Sequence, residues 1–103
     1  MPQFAIYPSL RRDPRIAYLL QIQSSRFDRS RGRVMMALLH VGSNPPPDHA
    51  ITPHLTVLET CVFADPFDIA TIPATLLATP LAILAEADQD RIITAIDEMI
   101  SRA

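Results

Sequence analysis

Apolar and polar positions alternate along residues 16–22. Ile16, Tyr18, Leu20 and Ile22 share one face of an extended chain, and Ala17, Leu19, Gln21 and Gln23 share the other. A side-chain period of two predicts a strand with one face against a core. Residues 34–41 are apolar on both faces, with Val34, Met36 and Leu38 on one and Met35, Ala37, Leu39 and Val41 on the other. That pattern predicts a central strand, or one pressed against a second chain. A short first strand is expected over residues 3–7, with Phe4 and Ile6 facing one way. A hairpin is expected over residues 53–64, turning near Leu58-Glu59-Thr60. Asp65-Pro66 is expected to break its return strand before alternation resumes at residues 67–72. Residues 73–85 fit either a strand or a short helix.

The last segment predicts a helix. Ile92, Ile93, Ile96, Met99 and Ile100 recur at spacings that place one apolar stripe along it. Asp88 is the expected N-cap and Asp90 adds negative charge to the first turn. Strands first and one helix last make an α+β arrangement with a mostly antiparallel sheet. Two loops interrupt the pattern. Residues 24–33 carry Arg26, Arg29, Arg31 and Arg33 around Phe27, and residues 42–48 contain Pro45-Pro46-Pro47, which supply no N–H groups to a ladder.

The chain has 103 residues, enough for one domain with a modest core. All nine basic residues are arginine, and seven of them precede residue 41, while nine of the eleven acidic residues follow it. This asymmetry points to a charged contact surface on the first half, or to two halves that offset each other in the fold. Cys61 is the single cysteine, so no disulfide closes within the chain, which fits a reducing cytoplasm. It is expected to fill the core. No signal peptide is expected, because Met1-Pro2-Gln3-Phe4 leads directly into strand-like sequence, and no membrane span, because the apolar run at residues 72–85 is interrupted by Pro73 and Pro80. His40, His49 and His54 lack the spacing of a zinc site, so no metal and no cofactor are expected.

Several blocks in order resemble the CcdB family, the toxins of bacterial type II toxin–antitoxin modules. Gln3-Phe4-Ala5-Ile6-Tyr7 is similar to the family's Gln-Phe-x-Val-Tyr opening. Leu20-Gln21-Ile22-Gln23-Ser24 resembles Val-x-Val-Gln-Ser. Arg33-Val34-Met35-Met36-Ala37-Leu38 resembles its Arg-hydrophobic-Val-Ile-Pro-Leu strand, with Ala37 replacing the proline. Asp68-Ile69-Ala70-Thr71-Ile72-Pro73 resembles Asp-Met-Ala-Ser-Val-Pro. The resemblance implies a twisted antiparallel sheet of about five strands, a small accessory sheet and one C-terminal helix, and a symmetric homodimer. It implies a non-enzymatic toxin that binds the GyrA chains of DNA gyrase, traps the enzyme on cleaved DNA, and is neutralised by an antitoxin with a disordered acidic tail. No sequence-specific nucleic acid contact is implied.

Carried over position by position, the family's gyrase contact falls on Ser25, Arg26, Phe27, Asp97, Ile100, Ser101, Arg102 and Ala103. The antitoxin contact falls on Arg11, Arg12 and Arg15, with the loop over residues 42–53. The family's chain end is Trp-Gly-Ile, whereas here it is Ser101-Arg102-Ala103. A terminal tryptophan is the usual kind of interface anchor, and its loss typically costs about 2 kcal/mol of binding. Two other readings therefore stand beside gyrase poisoning: a MazF-like endoribonuclease using arginines to hold phosphate, and a CcdB-like dimer that no longer poisons gyrase. The arginines of residues 26–33 suit carboxylate or phosphate, or form a solvated polar loop.

Overall fold

The computed structural model describes residues 2–10 and 12–102. Among them, six strands form a single curled antiparallel sheet, followed by one C-terminal helix. The strands are β1 (Ala5–Pro8), β2 (Ile16–Gln21), β3 (Gly32–His40), β4 (His54–Val57), β5 (Thr60–Pro73) and β6 (Ala82–Ile83), and the helix is α1 (Glu86–Ile100). The order across the sheet is β4-β5-β3-β2-β1-β6. The α+β fold is the one expected, with the short strands β4 and β6 serving as the sheet's edges.

β3 is interior, paired with β2 on one side and β5 on the other, as its doubly apolar pattern requires. Met36 and Leu38 enter one buried cluster, with Leu20, Leu55, Val62 and Ile92 among its members. Met35 and Ala37 enter a second cluster on the opposite face, with Tyr7, Ile16 and Leu19. Each large apolar side chain so buried contributes about 1.5–3 kcal/mol. α1 covers the first face through Ile92 and Ile96.

Two bulges reset the alternation. Ile16 pairs with Leu39 but Tyr18 pairs with Leu38, so β2 carries one extra residue at Ala17. Ile16 consequently joins Leu19 on the second face rather than Leu20 on the first. In β5, Met36 pairs with Ile69 and Ala37 with Asp65, leaving Pro66, Phe67 and Asp68 looped out. Asp65-Pro66 therefore bends a continuous strand instead of breaking it. Proline cannot donate to the ladder, and the Asp65 carboxylate takes the Phe67 N–H at 3.0 Å instead. Phe67 is left 72% exposed.

The hairpin turns at Leu58 and Glu59, both left-handed with φ of 49° and 68°. A two-residue hairpin loop needs that backbone, and here it is met without glycine or asparagine. The ambiguous segment resolves into a 3-10 turn (Ala74–Leu76) and β6.

The helix starts three residues earlier than expected. Ala85 occupies the cap with no side-chain hydrogen bond, and Asp88 lies in the first turn beside Glu86. The buried stripe is also narrower than the isoleucine pattern suggested. Ile92 and Ala95 are fully buried, whereas Ile93 and Ile100 are 45% and 64% exposed. Alanine can lie flat on the sheet where β5 approaches, which turns the helix so that the two isoleucines face outward.

Candidate functional site

The connection from β2 to β3 is a loop with an exposed crest and a polar underside. Ser24 starts a 3-10 turn over Ser25–Phe27, its hydroxyl accepting the Arg26 N–H at 3.3 Å. Backbone hydrogen bonds from Phe27 to Ser24, Asp28 to Ser25 and Ser30 to Phe27 continue the winding. This lifts Arg26 and Phe27 outward. Phe27 is 54% exposed, and the Arg26 guanidinium lies 5.5 Å from its ring centroid, within cation–π range. Ser25 is exposed and its hydroxyl accepts the Gln3 N–H at 2.9 Å, tying the crest to the chain's first turn.

The underside is held by side chains from the strand ends. The Gln23 amide donates to the Phe27 carbonyl at 3.0 Å and to Ser30 Oγ at 3.1 Å, and its oxygen accepts the Val34 N–H at 3.2 Å. Arg33, expected among the loop's exposed cations, is instead buried. It donates to the carbonyls of Asp28 and Ser30, and to that of Gly32 at 3.1 Å. A guanidinium can be buried where polar acceptors replace water, which is the exception to the rule that arginine stays outside. Arg26, Arg29 and Arg31 remain exposed. Burial pushes the nearby Tyr7 phenol above its ordinary range, with Arg33 opposing the shift and Asp28 adding to it.

Beside Phe27 lies an open groove of about 580 Å³, lined by Ile22, Gln23, Ser24, Phe27, Ser30, Val34 and, from the helix, Ile96. Phe27 and α1 thus share one surface. Asp97 follows Ile96, and Ile100 lies one turn on; both are exposed, as are Ser101 and Arg102. The Ser101 N–H closes the helix on the Glu98 carbonyl at 3.4 Å. Ala103 and Arg11 lie outside the described residues. The sequence pattern reads the stripe containing Ile96 as core first and interface second, and does not mark Ile22 and Val34 as groove walls. The only available signal was that all three fall at the margins of their apolar faces.

The second region surrounds Arg91. This side chain donates to the His54 carbonyl at 2.7 Å and to the Asp48 carboxylate at 2.8 Å, joining α1 to the proline-rich loop. Asp48 also accepts the His54 N–H at 3.0 Å. That hydrogen bond, aided by the Arg91 charge and opposed by partial desolvation, holds the Asp48 carboxyl below the usual carboxylate range. His54 Nε2 meets the Pro46 carbonyl at 2.7 Å, and Thr52 Oγ1 donates to the Pro47 carbonyl at 2.9 Å. A cavity of about 380 Å³ lies between loop and helix, lined in part by Asp48, His49, Asp90 and Arg91. Another of about 470 Å³, on the other side of Arg91, is lined in part by His54 and Cys61. Cys61 is exposed there and not a core filler, because its place in β5 alternates with buried Val62.

Arg15 is exposed but engaged, with a two-pronged hydrogen bond to Asp13 and an ion pair at 2.8 Å. Arg12 is exposed. Among the described residues no group of three or more histidine, cysteine, aspartate or glutamate side chains is placed to hold a metal, and no helix is long and apolar enough to cross a membrane.

A family model described as CcdB protein matches residues 3–101. No curated protein matches the chain.

Proposed function

The chain belongs to the CcdB family, and so to the toxins of toxin–antitoxin modules; from this premise we propose that it acts by binding the GyrA chains of DNA gyrase, without catalysis of its own, and trapping the cleaved DNA complex. The observation that carries the reading is the shared surface of the Phe27 loop and α1. An exposed aromatic, an apolar groove and surrounding arginines supply the apolar centre and polar rim that protein interfaces use. Arg26 and Phe27 make the central contact, Ser25 flanks it, and Asp97, Ile100, Ser101, Arg102 and Ala103 extend it along the chain end. The protein acts as a homodimer. An acidic antitoxin tail neutralises it by pairing with Arg11, Arg12 and Arg15, each able to hold a carboxylate in a fork. Arg15 must exchange its Asp13 partner to do so.

Purified protein, gyrase, ATP and supercoiled plasmid test this reading, scored for linear DNA released on denaturation. Linear DNA that Phe27→Ala abolishes is the expected result. Absence of cleavage and of gyrase binding overturns it. In that event the second reading stands, a dimer that keeps the antitoxin contact without poisoning, supported by exposed Ser101 and Arg102 at positions where the resemblance expects a large apolar anchor.

A further inference from the structure

We infer that Arg33 is the positioning residue of the loop carrying Arg26 and Phe27, fixing the loop's backbone from inside the fold so that it meets a partner already in its bound shape. Arg33 is 6% exposed, the one buried cation among the loop's four arginines. Its guanidinium donates to three main-chain carbonyls, those of Asp28, Ser30 and Gly32, all within the loop or at its junction with β3. Gln23 grips the same segment from the other strand, through the Phe27 carbonyl and Ser30 Oγ.

Stability alone does not call for this arrangement. Antiparallel neighbours such as β2 and β3 can be closed by a two-residue turn, with no buried charge at all. Taking a guanidinium out of water is costly, and the loop's carbonyls are what offset that cost here. What the arrangement does produce is a crest held in one conformation. Ordering a free loop on binding subtracts from affinity, so a loop ordered beforehand binds more tightly with no added contact. The planar fork is essential to this, since two nitrogens of one group reach the Asp28 and Ser30 carbonyls together. A lysine ammonium, a single nitrogen on a flexible stem, cannot reproduce the two fixed arms of that fork.

The consequence for binding rests on the gyrase reading, but the ordering of the loop does not, and two measurements on the full chain separate them. The first is amide hydrogen exchange in Arg33→Lys, which keeps the charge. The expected result is exchange at least about tenfold faster across residues 25–31, with the amides of Leu20, Met36 and Leu38 unchanged. The second is affinity for purified GyrA, expected to fall at least about tenfold in the same variant while the melting temperature holds. Gln23→Met is the milder companion, expected to speed exchange in the same segment and not in the core. It decides the question if Arg33→Lys does not fold. Unchanged exchange over residues 25–31 overturns the inference, as does loop and core exchange rising together. A loosened loop in a protein whose unaltered form binds no gyrase supports the positioning role and overturns the gyrase reading instead.

Discussion

The two long loops of this protein are tied down by opposite means. The arginine loop is held from beneath, by Gln23 and by the buried fork of Arg33 on main-chain carbonyls. The proline loop is held from the side, by the half-exposed pair of Arg91 and Asp48 together with hydrogen bonds from His54 and Thr52. Carbonyl acceptors in the interior neither titrate nor feel salt. An exposed carboxylate does both, and surface ion pairs contribute little. The ties of the arginine loop are therefore indifferent to pH and salt, whereas one tie of the proline loop, Arg91 on Asp48, responds to both.

The largest effect should come from undoing what the two regions share. α1 provides Ile96 to the groove and Arg91 to the proline loop, and Ile92 anchors it at 0% exposure. Ile92→Ala should cost about 3 kcal/mol in urea unfolding and loosen both loops together. If only one loosens, the helix is not their common support. Next comes the crest. Phe27→Ala should leave stability almost unchanged, because the ring is half exposed, yet weaken gyrase binding by about 2 kcal/mol if Phe27 is the interface anchor. Calorimetry of binding alongside a thermal melt separates the two quantities.

A change outside both loops supplies the reference. Glu59→Gly relieves a left-handed residue at φ 68° and should raise stability by about 0.5 kcal/mol, with exchange in both loops unaltered. The smallest effect belongs to the tie of Arg91 on Asp48. The Asp48 carboxyl is held below its usual range, so its contribution is present above the unfolded pKa and is lost as pH falls through the lower, folded one. Exchange over residues 43–52 should rise below about pH 4, where an ordinary aspartate takes up its proton. Asp48→Asn should remove that pH dependence, and high salt should mimic it. The arginine loop should respond to neither.

Much of the candidate site could be read in residue identity. The exposed aromatic among arginines and the acidic second half are properties of the chain itself. The wall of the groove could not be read, because Ile22, Val34 and Ile96 come from separate elements and meet only when α1 docks. Cys61 shows the same gap in reverse. Its apolar neighbours suggested the core, yet in a strand half the positions face outward, and pairing with Thr56 at the sheet's edge leaves it exposed.

What the sequence determined by itself was periodicity and its consequences. Two-residue alternation made the strands, the doubly apolar run placed β3 inside the sheet, and the helical spacing made α1. These are local, since steric and solvent preferences act on neighbours along the chain. Tertiary structure alone decided where alternation slips and which face is covered. The extra residue at Ala17 moved Ile16 to the other face, and the loop-out at residues 66–68 kept β5 continuous past a proline. The rotation of α1 put Ile93 and Ile100 outside. Arg33 became buried because its own loop winds back, so that the carbonyls of Asp28, Ser30 and Gly32 take the place of water. The strand slips and the rotation of α1 depend on partners far away in the chain, and no window of local sequence contains them.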